Sequence, residues 1–213
     1  MSESIFQEAT EAIVKGDTDL AVDTAKKGID AGLDPLALMN DGFIPGINQV
    51  GDLFETGRLF LPQLITCATA MEKATEVINA AIPGGQETVS GKVLVGTVEG
   101  DVHDIGKTIV VALFKANGFD VLDIGRDVPV EKFIDEAEKF GANIIGSSTL
   151  LTTTMAMQKQ LEQELKKAGL REKYKTMVGG APVTQRWADR IGADAYAQDA
   201  SDGVRKAKEL LGG

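Results

Sequence analysis

The sequence predicts a chain of two parts: an all-α four-helix bundle, then an α/β domain on an open, doubly wound sheet of five parallel strands. Residues 1–82 carry apolar side chains at helical spacing, broken only by short Gly, Pro and Asp signals. Residues 92–213 alternate short, apolar, β-branched runs with helical segments, which is typical of a parallel sheet. Pro and Gly interrupt both patterns between these parts, so a linker is predicted over 83–91.

Four helices are predicted in the first part, over 4–15, 18–31, 35–54 and 60–81. Gly16–Asp17 and Gly32 are end and start signals for the first two, and Asp34–Pro35 begins the third. Pro45–Gly46 lies inside the third helix and predicts a kink or a short break near it. Because the connections are short, we expect these helices to pack as an antiparallel bundle.

Five βα units are predicted in the second part. The strands are expected over 93–98, 120–124, 142–147, 176–178 and 193–197. The helices are expected over 105–117, 130–140, 154–168, 184–191 and 201–211. Sheets of this kind bind ligands beyond the carboxyl ends of their strands, so functional residues are expected in the loops at that edge.

Charge and composition argue against several classes of function. The 32 acidic and 22 basic side chains give a net charge of −10, which disfavours binding to nucleic acid and to anionic membrane surfaces. The N-terminus lacks a secretory pattern and no apolar run is long enough to span a membrane, so we expect a cytoplasmic protein. With one cysteine, Cys67, and one histidine, His103, neither an intrachain disulfide nor a Cys/His metal cluster is expected.

The chemistry-bearing residues lie in four loops at the carboxyl edge of the predicted sheet, over 99–108, 147–154, 179–182 and 198–201. The first loop comes close to a phosphate-binding loop, because Gly100 to Gly106-Lys107-Thr108 resembles G-x-x-x-x-G-K-T. However, five residues separate its glycines where that motif has four, and the carboxylate of Asp101 would repel a phosphate. Nucleotide binding is therefore the weaker interpretation.

Asp101 and His103 together indicate an imidazole ligand to a metal. A metal-binding histidine usually donates its other ring N–H to a carboxylate, and Asp101 is placed to accept it. The chain has no second histidine and no thiolate nearby, so the metal has to bring most of its own ligands. A metal held in a macrocycle, with an axial imidazole, fits that description.

Three motifs in this order resemble the cobalamin-binding signature of corrinoid proteins: Asp101-x-His103-x-x-Gly106, Ser148-x-Leu150 and Gly179-Gly180. Upstream, Phe60-Leu61-Pro62-Gln63 and the helix that follows resemble the helical cap of cobalamin-dependent methionine synthase. The whole chain is similar to the small corrinoid proteins of three-component methyltransferase systems. The resemblance implies a flavodoxin-like cobalamin-binding domain, with the cofactor bound base-off/His-on and alternating between methylcobalamin and cobalt(I).

The same resemblance implies roles for individual residues. His103 is the implied lower axial ligand of cobalt, Asp101 accepts the hydrogen bond from its other ring nitrogen, and Thr154 is the third member of that relay. The implied cofactor contacts are Gly100, Asp101, Val102, His103, Asp104, Ile105, Gly106, Ser148, Leu150, Thr152, Gly179, Gly180, Ala200 and Phe60.

Several of those contacts have an implied purpose. Gly106 and Gly179–Gly180 would leave room for the nucleotide tail, and Ala200 would pack on the other side of that tail. Ser148 and Thr152 would contact the displaced base. Phe60 would cover the methyl-bearing face of the corrin.

The resemblance implies a methyl carrier with no complete activity alone. It would carry the methyl group from a substrate-specific methyltransferase to a second methyltransferase acting on tetrahydrofolate or a thiol, with a reductive activator to rescue oxidised corrinoid. The methyl donor stays open among methanol, methylamines, betaines and aryl methyl ethers. The alternatives are a mutase subunit and a cobalamin sensor; the chain shows no substrate barrel and no basic helix-turn-helix.

Overall fold

The structure is a computed structural model that describes residues 2–82 and 91–212. The chain forms two compact units, one helical and one α/β. Most of the predicted linker, residues 83–90, lies outside the described residues. Gly91, which the sequence assigned to that linker, is instead the first residue of the first strand.

The helical unit contains α1 (Ser2–Lys15), α2 (Thr18–Asp30), the single turn α3 (Pro35–Ala37), a π-helical segment (Leu38–Phe43), α4 (Ile44–Glu55) and α5 (Leu61–Ala81). Asp17 and Asp34 cap α2 and α3, because their carboxylates accept the backbone N–H groups of Leu20 and Ala37. These bounds agree with the predicted helices to within a few residues, except in the third.

The third helix is interrupted close to Pro45–Gly46, and the interruption is a π-helical segment that ends at Phe43. Pro45 is the second residue of α4, directly after a π-helical segment, and it has no N–H to offer the preceding helical turn. The irregularity comes earlier, over Leu38–Phe43, where the helix widens to π geometry and the Ile44 N–H bonds the carbonyl of Met39. The extra residue in this turn lets the chain continue as a helix past the proline.

Small residues permit close packing in the helical unit. A Cβ on Gly46 would lie 2.8 Å from the Thr10 carbonyl oxygen, and one on Gly28 would lie 2.6 Å from Leu38. Alanines on α1, α2 and α5 are fully or nearly fully buried: Ala9, Ala12, Ala21, Ala25, Ala68, Ala70 and Ala74.

The α/β unit has the predicted five-stranded parallel sheet, in the order β2-β1-β3-β4-β5. Its strands are β1 (Gly91–Thr97), β2 (Phe119–Asp123), β3 (Ile144–Ser148), β4 (Lys175–Gly179) and β5 (Ala195–Ala197). Its helices are α6 (Ile105–Ala116), α7 (Val130–Phe140), α8 (Met155–Lys167), α9 (Gln185–Ile191) and α10 (Ala200–Leu210). This is a flavodoxin-like order, in which the direction of winding reverses between β1 and β3.

Three predicted ends differ from the structure for identifiable reasons. Val98 leaves β1 and forms only an isolated bridge to Val128. Asp194 precedes β5 because its carboxylate accepts the backbone N–H of Thr176. Thr154, predicted as the first residue of α8, occupies the N-cap position, and its side chain is directed to other partners.

One large core packs α7 and α8 against the sheet through Phe133, Leu161, Leu165, Leu94 and Ile145. This core fixes the strands whose ends carry the predicted functional loops. Within residues 2–82 and 91–212, no helix is both long and apolar enough to cross a membrane.

Candidate functional site

The candidate site lies at the carboxyl edge of the sheet, where the loops after β1 and β3 meet. These two strands are neighbours, and their ends pair Thr97 with Ser148. The winding of the sheet reverses between them, which opens a crevice that ligands commonly occupy. The loop after β1 contributes Asp101 and His103, and the loop after β3 contributes residues 149–154.

Hydrogen bonds hold the loop after β1 in place. Gly100 has a positive φ of 79°, and its N–H donates to Asp127 Oδ1 at 2.7 Å. The Asp127 N–H donates in turn to the Asp101 carbonyl at 2.9 Å. From the end of β1, the Thr97 hydroxyl donates to the His103 carbonyl at 3.1 Å.

Asp127 is the single non-glycine residue with a positive φ, 52°, within the described ranges. The left-handed conformation costs most residues about 1–2 kcal/mol, although Asp tolerates it better than most. Asp127 makes two of these three hydrogen bonds to the functional loop, so the strained turn braces that loop. The sequence does not mark Asp127 as a functional residue, because an Asp in a loop after a strand is common.

Asp101 is fully buried, and one of its oxygens faces His103. Asp101 Oδ1 accepts the His103 backbone N–H at 3.0 Å and lies 2.7 Å from the His103 ring atom Nδ1. Because Nδ1 faces the carboxylate, Nε2 is the ring nitrogen left for a metal. The histidine side chain is 48% exposed, so that nitrogen is accessible from outside.

The other oxygen of Asp101 faces the loop after β3. Asp101 Oδ2 accepts the backbone N–H groups of Leu150 at 2.6 Å and Leu151 at 3.2 Å. The hydroxyl oxygens of Thr149 and Thr154 lie 3.1 Å and 3.3 Å from it. One buried carboxylate therefore ties both loops together.

The hydroxyls of Thr149 and Thr154 have one proton each, but several acceptors lie within their reach. Their hydroxyl oxygens lie 2.6 Å apart, so one of the two protons is used between them. Both hydroxyls also reach the Leu151 carbonyl, Thr154 at 3.0 Å and Thr149 at 3.2 Å, so Thr154 lies nearer to that carbonyl and Thr149 nearer to Asp101. The geometry favours Thr149 as donor to Asp101 and Thr154 as its support, whereas the sequence named only Thr154.

Burial by itself would raise the pKa of the Asp101 carboxyl. The hydrogen bonds from the backbone of His103 and Leu150, the His103 ring and the Thr149 hydroxyl outweigh burial and hold that pKa well below its usual range. Asp101 is therefore a permanent anion at neutral pH. A buried anion beside Nδ1 keeps the proton on that nitrogen and makes Nε2 a better metal ligand.

Exposed apolar side chains flank the histidine. Within residues 91–212, the large apolar side chains that are exposed are Val102, Ile105, Leu150 and Leu151. All four belong to the two loops that Asp101 joins, and Ile105 is 74% exposed. An exposed apolar patch of this kind marks a binding surface.

The glycines that were predicted to contact the nucleotide tail lack a side chain for different reasons. A Cβ on Gly180 would lie 1.7 Å from the Thr149 carbonyl oxygen, so this glycine is required by the fold itself. A Cβ on Gly179 would meet only the Ala197 carbonyl oxygen, at 3.4 Å, and one on Gly106 would meet nothing within 4 Å. The open space beside Gly106 leaves room for a ligand.

The other predicted contacts are distributed as follows. Ser148 ends β3 and is half-buried, and Thr152 is exposed in the turn after it. Ala200 is buried in the first turn of α10, after β5. Phe60 belongs to the helical unit, where it is 68% exposed and precedes α5.

The loop is not arranged to hold a phosphate. The Lys107 ammonium group is buried and paired with Asp123. The N–H groups of Gly100 and His103 already donate to carboxylates, whereas a phosphate loop directs such groups at its ligand. These contacts count against the nucleotide interpretation.

The site fits a corrinoid on structural grounds. No group of three or more His, Cys, Asp or Glu side chains among the described residues could hold a metal ion, so His103 would be a lone protein ligand. A metal with one protein ligand needs a macrocycle. The exposed apolar side chains at this edge of the sheet suit the flat, largely apolar face of a corrin, and the space at Gly106 suits its tail.

Comparison with known proteins agrees with this fit. Residues 91–205 match one family model described as a B12 binding domain, and residues 5–79 match a second model of the same description. The chain is 49% identical over 212 residues to dimethylamine corrinoid protein 1 of Methanosarcina mazei, covering 99% of this chain and 98% of that protein. It is 47% identical over 211 residues to trimethylamine corrinoid protein 1 of Methanosarcina acetivorans, covering 98% of each.

Solved structures are similar as well. A chain of the methanol:cobalamin methyltransferase complex from Methanosarcina barkeri superposes with a TM-score of 0.83 at 33% identity, covering 99% of this chain and 81% of that one. A cobalamin-binding protein from Desulfitobacterium hafniense gives a TM-score of 0.76 at 30% identity, covering 97% of this chain and 98% of that one.

Proposed function

The chain belongs to the corrinoid proteins of methyltransferase systems, which are built from B12 binding domains, and we propose that its methyl donor is a methylamine. It binds a corrinoid and carries a methyl group for partner methyltransferases. The dimethylamine and trimethylamine proteins, at 49% and 47% identity, support the substrate class more strongly than the methanol complex at 33%.

The proposed binding state is base-off/His-on, with Nε2 of His103 as the axial ligand. The observation that carries this proposal is the fully buried Asp101, which engages Nδ1 at 2.7 Å and leaves the other nitrogen exposed. The bound corrinoid supplies the cobalt that accepts and releases the methyl group. Val102, Ile105, Leu150 and Leu151 would exclude water around that ligand.

We assign the relay as His103–Asp101–Thr149, with Thr154 hydrogen-bonded to Thr149. Gly106 would border the nucleotide tail, on the support of the open space beside it, whereas the contact predicted for Gly179 stays a prediction. The contacts predicted for Gly100, Asp104, Ser148, Thr152, Gly180, Ala200 and Phe60 stay predictions.

The finer identity of the partners is part of the proposal. A second methyltransferase would accept the methyl group on tetrahydrofolate or a thiol, and a reductive activator would restore oxidised corrinoid. The domain bounds 1–82 and 92–213, and a cytoplasmic location, remain predictions from the sequence.

Reconstitution tests the binding mode. The apoprotein is loaded anaerobically with hydroxocobalamin and desalted, in parallel with His103→Ala and the surface control Lys159→Ala. We expect the wild type and the control to retain corrinoid with the same spectrum, and His103→Ala to retain less, with shifted bands. A spectrum that is identical in all three proteins would show that His103 is not on the cobalt.

Methyl transfer tests the substrate class. The loaded, reduced protein is mixed with purified trimethylamine, dimethylamine, monomethylamine or methanol methyltransferase and its own substrate. Methylation of the corrinoid is followed by absorbance, and we expect it with a methylamine enzyme. Methylation with the methanol enzyme alone would contradict the proposed donor.

A further inference from the structure

The chain has one tryptophan, and its indole is hydrogen-bonded to a buried glutamine. Trp187 Nε1 donates to Gln158 Oε1 at 3.0 Å, across α9 and α8. Gln158 is 1% exposed, although glutamine is seldom buried so completely. Neither residue belongs to the loops after β1 and β3 that form the candidate site.

The amide group of Gln158 joins the ends of two strands. Its Nε2 donates to the Ser147 carbonyl of β3 at 3.0 Å and to the Gly179 carbonyl of β4 at 3.3 Å. A glutamine amide has two N–H donors on one side and an acceptor on the other, and all three functions are used here. The Trp187 N–H requires the oxygen to face the indole, so it also fixes the direction in which the NH₂ group points.

The same strand end holds the threonine that contacts Asp101. The Gly179 carbonyl accepts the Thr149 backbone N–H at 3.2 Å, in addition to the Gln158 amide. Thr149 then reaches Asp101 Oδ2 through its hydroxyl at 3.1 Å. Hydrogen bonds therefore run without a gap from Trp187 through Gln158, Gly179, Thr149 and Asp101 to the His103 ring.

We propose that Gln158 and Trp187 are positioning residues for His103. They hold the ends of β3 and β4 at the spacing that directs the Thr149 hydroxyl at Asp101, and thereby orient the imidazole. The role of this imidazole as a cobalt ligand rests on the proposed function, whereas the coupling between Gln158 and the loop after β1 does not.

Three variants distinguish a positioning role of Gln158 and Trp187 from a general contribution to the stability of the fold. Gln158→Met keeps the length of the side chain and removes all three hydrogen bonds. Trp187→Phe keeps an aromatic ring packed against Val183 and Ile191 and removes one N–H. Gln163→Met makes the same substitution as the first variant on the exposed face of α8, so it is the matched control.

Hydrogen exchange in the apoprotein tests the coupling without any cofactor. We expect Gln158→Met to accelerate exchange in peptides covering 99–106 and 147–154 by roughly threefold to tenfold, and Trp187→Phe by less. Gln163→Met should leave both peptides unchanged. If Gln158→Met lowers the melting temperature while residues 99–106 exchange as in the control, Gln158 only supports the fold and the proposal is overturned.

Spectroscopy of the loaded protein tests the consequence at the metal. In the cobalt(II) state, the nitrogen splitting in the electron paramagnetic resonance spectrum reports the fraction of molecules with imidazole bound. We expect that fraction to fall in Gln158→Met and Trp187→Phe, and the double variant to resemble Gln158→Met, since residues in one network are not additive. Equal fractions in all variants would overturn the proposal.

The two proposals fail in different ways. If the wild type retains no corrinoid, the proposed function fails, and the exchange experiment still decides whether Gln158 positions the loop. If the wild type shows nitrogen splitting that Gln158→Met leaves intact, the proposed function stands and the positioning role does not.

Discussion

The two units differ in what they bury. Among the described residues, the helical unit buries one polar side chain, Thr24, inside a core of alanine, leucine, isoleucine and phenylalanine. The α/β unit buries nine: Thr97, Asp101, Lys107, Ser147, Thr149, Thr154, Gln158, Glu162 and Thr176. Four of these nine side chains, those of Asp101, Thr149, Thr154 and Gln158, belong to the hydrogen-bond network that leads to His103.

This difference shows how the two units are specified. Close contact between small residues stabilises the helical unit, so it is sensitive to added volume. The α/β unit is sensitive to lost hydrogen bonds, because a buried polar group without its partner costs about 1–3 kcal/mol. Substitutions of each kind in each unit test the contrast, and Trp187 fluorescence reports the α/β unit alone because the helical unit has no tryptophan.

The largest effect is expected at Gly180. Gly180→Ala places a methyl group 1.7 Å from the Thr149 carbonyl oxygen at a φ of 122°, so we expect a loss of about 3–5 kcal/mol in denaturant unfolding. Gly106→Ala meets nothing within 4 Å, so it should leave the apoprotein unchanged and weaken corrinoid retention. Unimpaired retention in Gly106→Ala would show that the tail does not pass this residue.

Removal of the central carboxylate should rank next. Asp101→Ala leaves the Leu150 and Leu151 N–H groups without their acceptor and removes the contact of the Thr149 hydroxyl, which should cost about 2–4 kcal/mol in the unfolding of the α/β unit. Asp123→Ala is a useful comparison, since it removes the partner of the buried Lys107 outside the relay. A loss below about 1 kcal/mol in Asp101→Ala would contradict the contrast between the units.

Acidification should test the same carboxylate. The pKa of Asp101 lies below the value of about 3.9 expected in the unfolded chain, so its ionised form stabilises the fold at neutral pH. That contribution is fully present above the unfolded pKa and is lost as the pH falls through it, starting below about pH 5. Unfolding is followed by Trp187 fluorescence between about pH 3.5 and about pH 7. The free energy of unfolding should depend less on pH in Asp101→Asn than in the wild type.

Two glycines of α4 test the helical unit. Gly46→Ala forces a methyl group to 2.8 Å from the Thr10 carbonyl oxygen, so we expect a loss of about 1–3 kcal/mol despite the better helix propensity of alanine. Gly51→Ala, on the same helix, meets nothing within 4 Å and should gain about 0.5–1 kcal/mol. Circular dichroism melting measures both, and a gain in both variants would show that small residues are not needed for packing here.

The smallest effect is expected at Asp127. Asp127→Asn keeps an oxygen acceptor for the Gly100 N–H and tolerates the left-handed backbone, so stability should change by less than about 0.5 kcal/mol. Asp127→Ala loses that acceptor and should cost about 1 kcal/mol, together with faster hydrogen exchange over 99–104. Equal behaviour of the two variants would mean that Asp127 does not brace the loop.

Much of the fold was predictable because its signals are local. The helix bounds agree to within a few residues at both ends, since glycine and aspartate mark them. The five parallel strands and the two parts of the chain follow from the alternation of apolar runs. The π-helical segment was missed, because a widened turn has almost the same apolar spacing as a continuing helix.

The candidate site was predictable where chemistry depends on spacing. Asp101 and His103 are two residues apart, and the structure pairs them at 2.7 Å, as the sequence predicted. Thr149 was missed because six of the eight residues from 147 to 154 are Ser or Thr, and sequence alone gives no reason to prefer one hydroxyl. The sequence gives no sign of the role of Trp187, because its partner Gln158 lies 29 positions away.

The sequence by itself determined the order of helices and strands, the carboxyl-edge position of the functional loops and the identity of the one imidazole. These properties depend on residue type and short-range spacing, which the chain carries whether or not it is folded. Only the tertiary structure decided which oxygen of Asp101 faces which loop, which threonine reaches it, and that Gly180 and Gly106 are small for different reasons. Those properties depend on distances between residues about 50 positions apart, and packing of the sheet sets such distances.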